Sequence, residues 1–197
     1  MTHENTLIHA DGLLRKAALV LGGSLFIAIA AQISVPMYPV PMTLQTLAIL
    51  LVGLTMGSRL GALTVVAYLA EGAMGLPVFA NAMNGAAFFG PTAGFLVGFI
   101  GLAWVAGFAA EKGLAKGVVG TALAGIVASA LLYIPGIAWP MSVASLTGID
   151  AGWIARDFGS YYWAQFMFPF LIGDAVKAVI AALIVTGGWK ALSSRKG

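Results

Sequence analysis

The sequence predicts an all-α integral membrane protein with six transmembrane helices, and three observations support this fold class. Hydrophobic residues make up 60% of the 197 positions and charged residues only 9%, whereas a soluble domain carries about 25% charged residues. The apolar stretches are continuous rather than alternating, which favours helices over the strands of a transmembrane barrel. The basic residues fall between these stretches on one predicted side. A soluble protein is therefore excluded.

The order of apolar and polar segments divides the chain into two tails and one transmembrane domain. Glycine and proline clusters that interrupt helices separate the apolar stretches. We predict a polar cytoplasmic tail over residues 1–12, a single six-helix transmembrane domain over residues 13–192, and a basic cytoplasmic tail over residues 193–197. The predicted spans cover residues 13–34, 43–56, 60–73, 91–110, 118–138 and 164–189.

The distribution of basic residues predicts the orientation. With six spans, only Arg156 falls on one side. An excess of lysine and arginine marks the cytoplasmic side of a membrane protein, so both termini are expected in the cytoplasm. The other side carries Arg15, Lys16, Arg59, Lys112, Lys116, Lys190, Arg195 and Lys196.

Composition also excludes several function classes. The chain has no cysteine, and His3 and His9 both precede the first span. Thiolate and histidine metal sites and nucleophiles are therefore not expected within the membrane, and we predict no metal and no cofactor. The net charge of +3 reflects the ends of the spans rather than a nucleic-acid partner. The phosphate-loop pattern GxxxxGK[ST] is missing from the sequence, so ATP hydrolysis by that route is excluded and we do not expect an enzyme.

Asp174 and Lys177 are the most informative residues, because they lie deep within the last apolar stretch. Charged groups at such depth are costly unless they are paired, and they generally face the bundle interior or a cavity. A spacing of three places both on one helix face. We favour a ligand site in which Asp174 accepts from N–H groups and Lys177 donates to a carbonyl or carboxylate. The alternatives are an ion pair that only joins helices and a proton-coupled carrier in which Asp174 titrates.

The segment from Gly72 to Gly94 is rich in turn-forming residues, yet it is nearly all apolar and carries no charge. Irregular backbone at membrane depth persists where protein or a cavity covers it. We predict a lid or partly inserted loop over the ligand site, with Asn81 or Asn84 as hydrogen-bonding groups; a loop packed against lipid headgroups is the alternative. Gln45, Asn81 or Asn84, Asp174 and Lys177 are then the few polar groups of an apolar pocket that opens outward.

The first span carries small residues spaced four apart, which lets helices approach closely in lipid. Two interpretations stay open: packing within the same chain, or a docking face for another membrane subunit. The residues concerned are Ala18, Gly22, Ser24 and Ala28.

Five motifs follow one another along the chain, at residues 41–48, 57–62, 75–79, 89–95 and 173–177. In this order they resemble the BioY family, the biotin-binding S components of energy-coupling-factor (ECF) transporters. The resemblance covers about residues 13–190, with Gly-Pro-Thr-Ala-Gly-Phe standing where family members commonly have GPTGGY.

The resemblance implies a six-helix S-component fold that captures biotin at the outer face. It implies that Asp174 accepts from a ureido N–H group and that Lys177, Gln45 and either Asn81 or Asn84 also contact biotin. Tyr68, Phe79 and Tyr133 are further candidates for the pocket. The implied partners are a transmembrane coupling subunit and a pair of ABC-type ATPase subunits in the inner membrane of a prokaryote. The chain is expected to contact membrane lipid; assembly as a homo-oligomer and function without ECF partners both stay open.

Overall fold

The computed structural model describes residues 3–148, 152–154 and 160–193. Short segments connect the long helices: strands β1 (Ser34–Val35) and β2 (Met42–Thr43), the 3-10 helices Ala80–Ala82 and Gly85–Phe89, and a π-helical turn, Trp163–Met167. The helices are α1 (His3–Gln32), α2 (Gln45–Ala73), α3 (Ala93–Glu111), α4 (Gly117–Thr147), α5 (Ser160–Tyr162) and α6 (Phe168–Ser193).

Five helical stretches in the described part of the chain are long and apolar enough to cross a membrane. This agrees with the prediction of an all-α, multi-pass membrane protein. The stretches are Gly12–Gln32, Gln45–Ala73, Ala93–Glu111, Gly117–Thr147 and Ser160–Ala191.

The chain reverses direction within α2, at Gly57. This residue has φ 83° and ψ 175°, which no helix can accommodate. On either side of it the backbones of Gly53 and Gly61 touch, since a Cβ on Gly61 would lie 3.0 Å from the Cα of Gly53. In a continuous helix, residues 45 and 68 would be about 35 Å apart, yet Gln45 Nε2 lies 2.6 Å from Tyr68 Oη. Helix α2 is therefore an antiparallel pair of limbs, residues 45–56 and 58–73.

The end of α3 holds this reversal in place. Glu111 Oε1 accepts a hydrogen bond from the Ser58 backbone N–H at 2.7 Å, and Oε2 accepts from the Ser58 hydroxyl at 2.8 Å. The carboxylate thus satisfies donors at the start of the second limb, which a helix N-terminus otherwise leaves unpaired. Gly107 allows the close approach, because a Cβ there would collide with the backbone of Gly57 and Ser58.

Helix α4 is longer than predicted. We expected it to end at residue 138, but it continues to Thr147 through Pro135 and Pro140. Neighbouring helices can support proline within a membrane helix. Here α3 packs directly on Pro135, because Gly94 and Gly98 leave no side chain in the way.

The segment predicted as an irregular lid has more regular structure than expected. Its two 3-10 helices, Ala80–Ala82 and Gly85–Phe89, lie between α2 and α3. The proline-rich connection after α1 forms a small hairpin, in which Ser34 pairs with Thr43 and Val35 with Met42. Both connections lie at the same end of the bundle, because Ser34 Oγ donates to Asn81 Oδ1 at 3.2 Å.

Helix α1 packs on α2 through part of the set of small residues for which packing and docking were both left open. Ser24 and Ala28 are buried within the chain, and Ser24 Oγ donates to Glu71 Oε1 at 2.6 Å. For Ser24 and Ala28 the structure therefore supports packing within the chain, the first of the two interpretations that the sequence left open. Ala18 and Gly22 lie on the exposed side of α1. Glu71, in turn, is a half-buried carboxylate.

The predicted chain ends are described only in part. Helix α1 begins at His3, so the predicted tail over residues 1–12 is helical over its described residues, while the apolar stretch starts at Gly12. At the other end α6 extends to Ser193. Arg156, Arg195 and Lys196, on which the predicted orientation partly depends, lie outside the described residues.

Candidate ligand-binding site

A cavity of about 250 Å³ lies between the helices and the two connections described above. Small-molecule pockets in proteins measure about 300–1,000 Å³, so this cavity, just below that range, suits a small ligand. Its wall is mostly apolar, and Asp174 and Lys177 are the charged residues among those lining it. The lining comes from residues 37 and 39–43 after α1, residues 45 and 46 of α2, residues 79, 80, 81, 83, 87 and 90–92 between α2 and α3, and positions 95, 96, 99, 132, 133, 170, 174 and 177 of α3, α4 and α6.

Asp174 is the centre of the polar network in the cavity. It is 7% exposed, and both of its carboxylate oxygens accept hydrogen bonds. Oδ2 accepts from the phenol of Tyr133 at 2.6 Å, while Oδ1 accepts from Lys177 at 3.1 Å and from the hydroxyl of Thr46 at 3.3 Å. Three helices, α2, α4 and α6, therefore meet at one carboxylate. Each carboxylate oxygen has two acceptor positions, so Oδ2 keeps capacity for a ligand.

Lys177 lies beside Asp174 and is equally buried, at 7% exposure. Its ammonium forms an ion pair with Asp174 Oδ1 at 3.1 Å and donates to Thr46 Oγ1 at 3.0 Å. The prediction that Asp174 and Lys177 share one helix face is confirmed. An ammonium has three donors, and these two contacts use two of them. The pair thus presents one acceptor and one donor to the cavity, side by side.

Thr46 was missed among the sequence candidates, although it lies next to Gln45. Its hydroxyl accepts from Lys177 and donates towards Asp174, so it bridges the two charged groups. The signal in the sequence was weak, because a lone threonine in an apolar helix usually bonds to its own backbone.

Gln45 and Tyr68 form a second polar contact beside the cavity. Gln45 lines the cavity and donates from Nε2 to Tyr68 Oη, and Tyr68 donates on to the carbonyl of Val78 at 2.9 Å. Tyr68 itself is fully buried behind the wall and is not among the lining residues. It therefore does not line the cavity as observed, and its predicted contact with the ligand stays a prediction. It anchors residue 78 of the connection instead.

The candidate residues in the connection between α2 and α3 also divide into those that line the cavity and those that do not. Phe79 and Asn81 line the cavity, whereas Asn84 does not. The Asn84 side chain accepts from the backbone N–H of Ala86 at 3.2 Å and so caps the 3-10 helix Gly85–Phe89. Of the two asparagines left open by the sequence, Asn81 is thus the one at the cavity.

Aromatic and aliphatic side chains of α3, α4 and α6 complete the wall. Phe95 packs edge-on against Tyr133 with ring centroids 6.1 Å apart, and Phe99, Leu132 and Phe170 also line the cavity. Sequence reasoning did not find them, because these helices are apolar on all sides and no periodicity separates the cavity face from the lipid face. Among the described residues, no cluster of His, Cys, Asp or Glu could hold a metal ion.

Comparison with known proteins identifies the family. The model of the BioY family matches residues 1–194. A biotin transporter BioY from Rhodobacter capsulatus is 37% identical over 182 residues, which cover 86% of this chain and 90% of that protein. Another from Thermotoga maritima is 38% identical over 165 residues, covering 80% and 86% of the two chains. The chain belongs to the BioY family.

A solved structure shows that the fold is shared as well. The crystal structure described as the S-component for biotin from an ECF-type ABC transporter is similar to this BioY-family chain, with a TM-score of 0.72 and 21% identity. The similarity covers 96% of this chain and 95% of the other. The predicted S-component fold is therefore confirmed.

Proposed function

We propose that this BioY-family chain is the biotin-binding S component of an ECF-type transporter, a transport subunit rather than an enzyme. The observation that carries the proposal is the Asp174–Lys177 pair in the wall of an otherwise apolar cavity. An ion pair that only joined helices would not need a cavity beside it. The names of the relatives, which are biotin transporters, indicate which ligand the cavity takes.

The polar and apolar groups of biotin match the polar and apolar parts of the cavity wall. Its ureido ring presents an N–H donor next to a carbonyl acceptor, and Asp174 and Lys177, whose Oδ1 and Nζ lie 3.1 Å apart, present an acceptor next to a donor. The ureido N–H group donates to Asp174 Oδ2, and the ureido carbonyl accepts from the remaining donor of Lys177. The thioether ring and the valeryl chain then pack on apolar residues such as Phe79 and Phe95. Gln45 and Asn81 are further polar contacts.

The biotin carboxylate lies elsewhere in this arrangement. A carboxylate bound to Lys177 would be held next to the carboxylate of Asp174, and like charges at such distances repel strongly in a low-dielectric site. No second cationic side chain is present among the cavity residues that the structure describes. The carboxylate therefore points to the end closed by the two connections, where it remains hydrated.

Six spans with both termini in the cytoplasm fit this function. The two limbs of α2 count as separate spans, so the connections at residues 33–44 and 74–92 come to lie on the outer face, over the cavity. Arg59, Lys112 and Lys116 then all lie at the cytoplasmic ends of helices, as the distribution of basic residues requires. The membrane is the inner membrane of a prokaryote, and residues 13–192 form one domain between two cytoplasmic tails.

Energy would come from other subunits, since the sequence lacks a phosphate loop. The partners are a transmembrane coupling subunit and ABC-type ATPase subunits, as the name of the structural neighbour suggests for that protein. Ala18 and Gly22, on the exposed side of α1, form the part of the predicted docking face that remains available.

Titration of the purified chain with biotin tests the proposal. We expect saturable one-to-one binding that Asp174→Asn weakens by about tenfold or more, since hydrogen bonds to charged groups contribute about 1.5–3 kcal/mol. Ser142→Ala is the control, because among the described residues that hydroxyl donates only to the carbonyl of Ala138 in its own helix. Equal affinity for thiamine or riboflavin, or unchanged biotin binding in a folded Asp174→Asn variant, would refute the proposal.

Reconstitution separates an S component from a self-sufficient carrier. Liposomes holding the chain alone should bind biotin without concentrating it, with or without a proton gradient. Adding the coupling and ATPase subunits with ATP should start uptake. Accumulation driven by a proton gradient in the chain alone would instead support the proton-coupled carrier.

A further inference from the structure

The C-terminal residue of α1 is tied to the connection that covers the cavity. Gln32 Oε1 accepts from the backbone N–H of Ala82 at 3.0 Å, and Nε2 donates to the carbonyl of Phe79 at 3.0 Å and to Ala28 in its own helix at 3.2 Å. Ser34 adds the contact to Asn81 at 3.2 Å. We call the side chains of Gln32 and Ser34 the α1 latch. Neither is among the residues that line the cavity.

The segment held by the α1 latch has an unfavourable backbone conformation. Asn81 has φ 58° and ψ 34°, and Ala82 has φ 55°. Asparagine tolerates this left-handed region, but alanine is disfavoured there because its Cβ approaches a carbonyl oxygen. Such conformations persist where surrounding contacts enforce them. The bond from the Ala82 N–H to Gln32 is one of those contacts.

At Val78 and Phe79, whose carbonyls also accept from Gln32 Nε2, the connection has further contacts that are buried. Tyr68, which is fully buried, donates to the carbonyl of Val78, and the Phe79 ring packs edge-on against Tyr68 with centroids 5.3 Å apart. Phe79 also fills the space above Gly72, where any side chain would collide with its ring. The latch bonds to Asn81 and Ala82, by contrast, are exposed to solvent. Exposed backbone hydrogen bonds open more readily than buried ones.

We propose that the α1 latch controls the opening of the cavity: Gln32 is a positioning residue that holds residues 80–83 closed, and the connection opens by swinging away from α1 while Tyr68 and Phe79 stay in place. Asn81 and Met83, which line the cavity, then leave its mouth. This proposal rests on the proposed function in one respect: the molecule that enters the open cavity is biotin.

Kinetics distinguish such a latch from a ligand contact. If the latch stabilises the closed form equally with and without ligand, loosening it raises the open population in both states. Association and dissociation then both become faster, and Kd changes little. Loss of a direct contact would raise the dissociation rate and Kd together. For Gln32→Ala we expect both rate constants to rise by about tenfold, the effect of losing one or two hydrogen bonds.

The experiment measures association and dissociation rates of biotin together with hydrogen–deuterium exchange across residues 78–83. The variants are Gln32→Ala and the smaller truncation Ser34→Ala, with Ser142→Ala as control. Faster exchange in the ligand-free variants, with both rates raised and Kd within about threefold, supports the latch. Unchanged exchange, or a rise in Kd that matches the dissociation rate, overturns it. Hydrogen–deuterium exchange is measured without ligand. A chain that fails to bind biotin would therefore refute the proposed function, while the exchange rates would still test the latch.

Discussion

The phenol of Tyr133 donates a hydrogen bond of 2.6 Å to Asp174 Oδ2, so α4 fixes the orientation of the charged group on α6. Oδ1 of the same carboxylate is held by Lys177 and Thr46. With contacts on both oxygens the carboxylate cannot rotate freely, and its remaining acceptor position has a fixed direction. The binding group is therefore preorganised before any ligand arrives, which reduces the entropy cost of binding.

Tyr133→Phe should weaken biotin binding by about tenfold, because it removes one charge-assisted hydrogen bond from Asp174. The ring can still pack on Phe95, so the midpoint of thermal unfolding should change little. Tyr161→Phe is the matched control, since its hydroxyl donates to the carbonyl of Gly152 at 3.0 Å, away from the cavity lining. Equal affinities of the two variants, measured by calorimetric titration, would show that this bond does not orient Asp174.

The charged pair and its cavity position could be predicted because lone charges in an apolar stretch have few acceptable surroundings. The cost of burial alone indicated that Asp174 and Lys177 face the interior. Thr46 carried no such cost, since a hydroxyl can bond to its own helix. Its role depends on α2 packing against α6 at Asp174 and Lys177, and this packing of helices cannot be read from the sequence.

Tyr68 and Asn84 are predicted ligand contacts that do not line the cavity. Both are polar and lie in the right part of the chain, yet one is behind the cavity wall and the other caps a 3-10 helix. Helices that are apolar all round give no periodicity from which the cavity face could be read. The reversal at Gly57 could be predicted from the Gly57-Ser58-Arg59 run, but its contact with Glu111 joins residues far apart in sequence.

Gly107→Ala should destabilise the protein by about 1–3 kcal/mol, the usual cost of overpacking. A Cβ on Gly107 would collide with the backbone of Gly57 and Ser58, which cannot move aside as a side chain could. Gly101→Ala, in the same helix, is the matched control because no atom lies within 4 Å of its Cβ position. Thermal unfolding in detergent, followed by circular dichroism, should separate the two variants. Identical midpoints would mean that the α3 end does not pack on the reversal.

Ser129→Ala should leave stability unchanged or raise it by about 1 kcal/mol, because the variant removes a buried hydroxyl without a partner. Ser129 is 3% exposed, and its Oγ has no hydrogen-bond partner among the described residues. Ser24→Ala provides the contrast, since it takes away the donor to Glu71 and should destabilise. A clear loss of stability in Ser129→Ala, by the same unfolding assay, would show that its hydroxyl is bonded after all.

Biotinamide, in which the tail carboxylate is replaced by a neutral amide, should bind within about tenfold of biotin. The prediction follows from assigning Lys177 to the ureido carbonyl and leaving the carboxylate hydrated at the cavity mouth. A ligand altered at the ureido ring, such as an N-methylated derivative, should bind far more weakly because it loses the donor to Asp174. If the amide instead abolished binding in competition titrations and the ureido change were tolerated, Lys177 would contact the tail.

Thr46→Val tests whether the hydroxyl between Asp174 and Lys177 matters for binding. Valine has nearly the same shape as threonine but cannot bond, so Lys177 would lose one of its two observed acceptors. The ammonium should then move towards Asp174 or into the cavity, and biotin affinity should fall by about tenfold. Thr46→Ser keeps the hydroxyl and serves as the matched control, with affinity close to that of the unsubstituted chain. Equal loss in both variants would mean that the methyl group, through packing, is what biotin binding requires at this position.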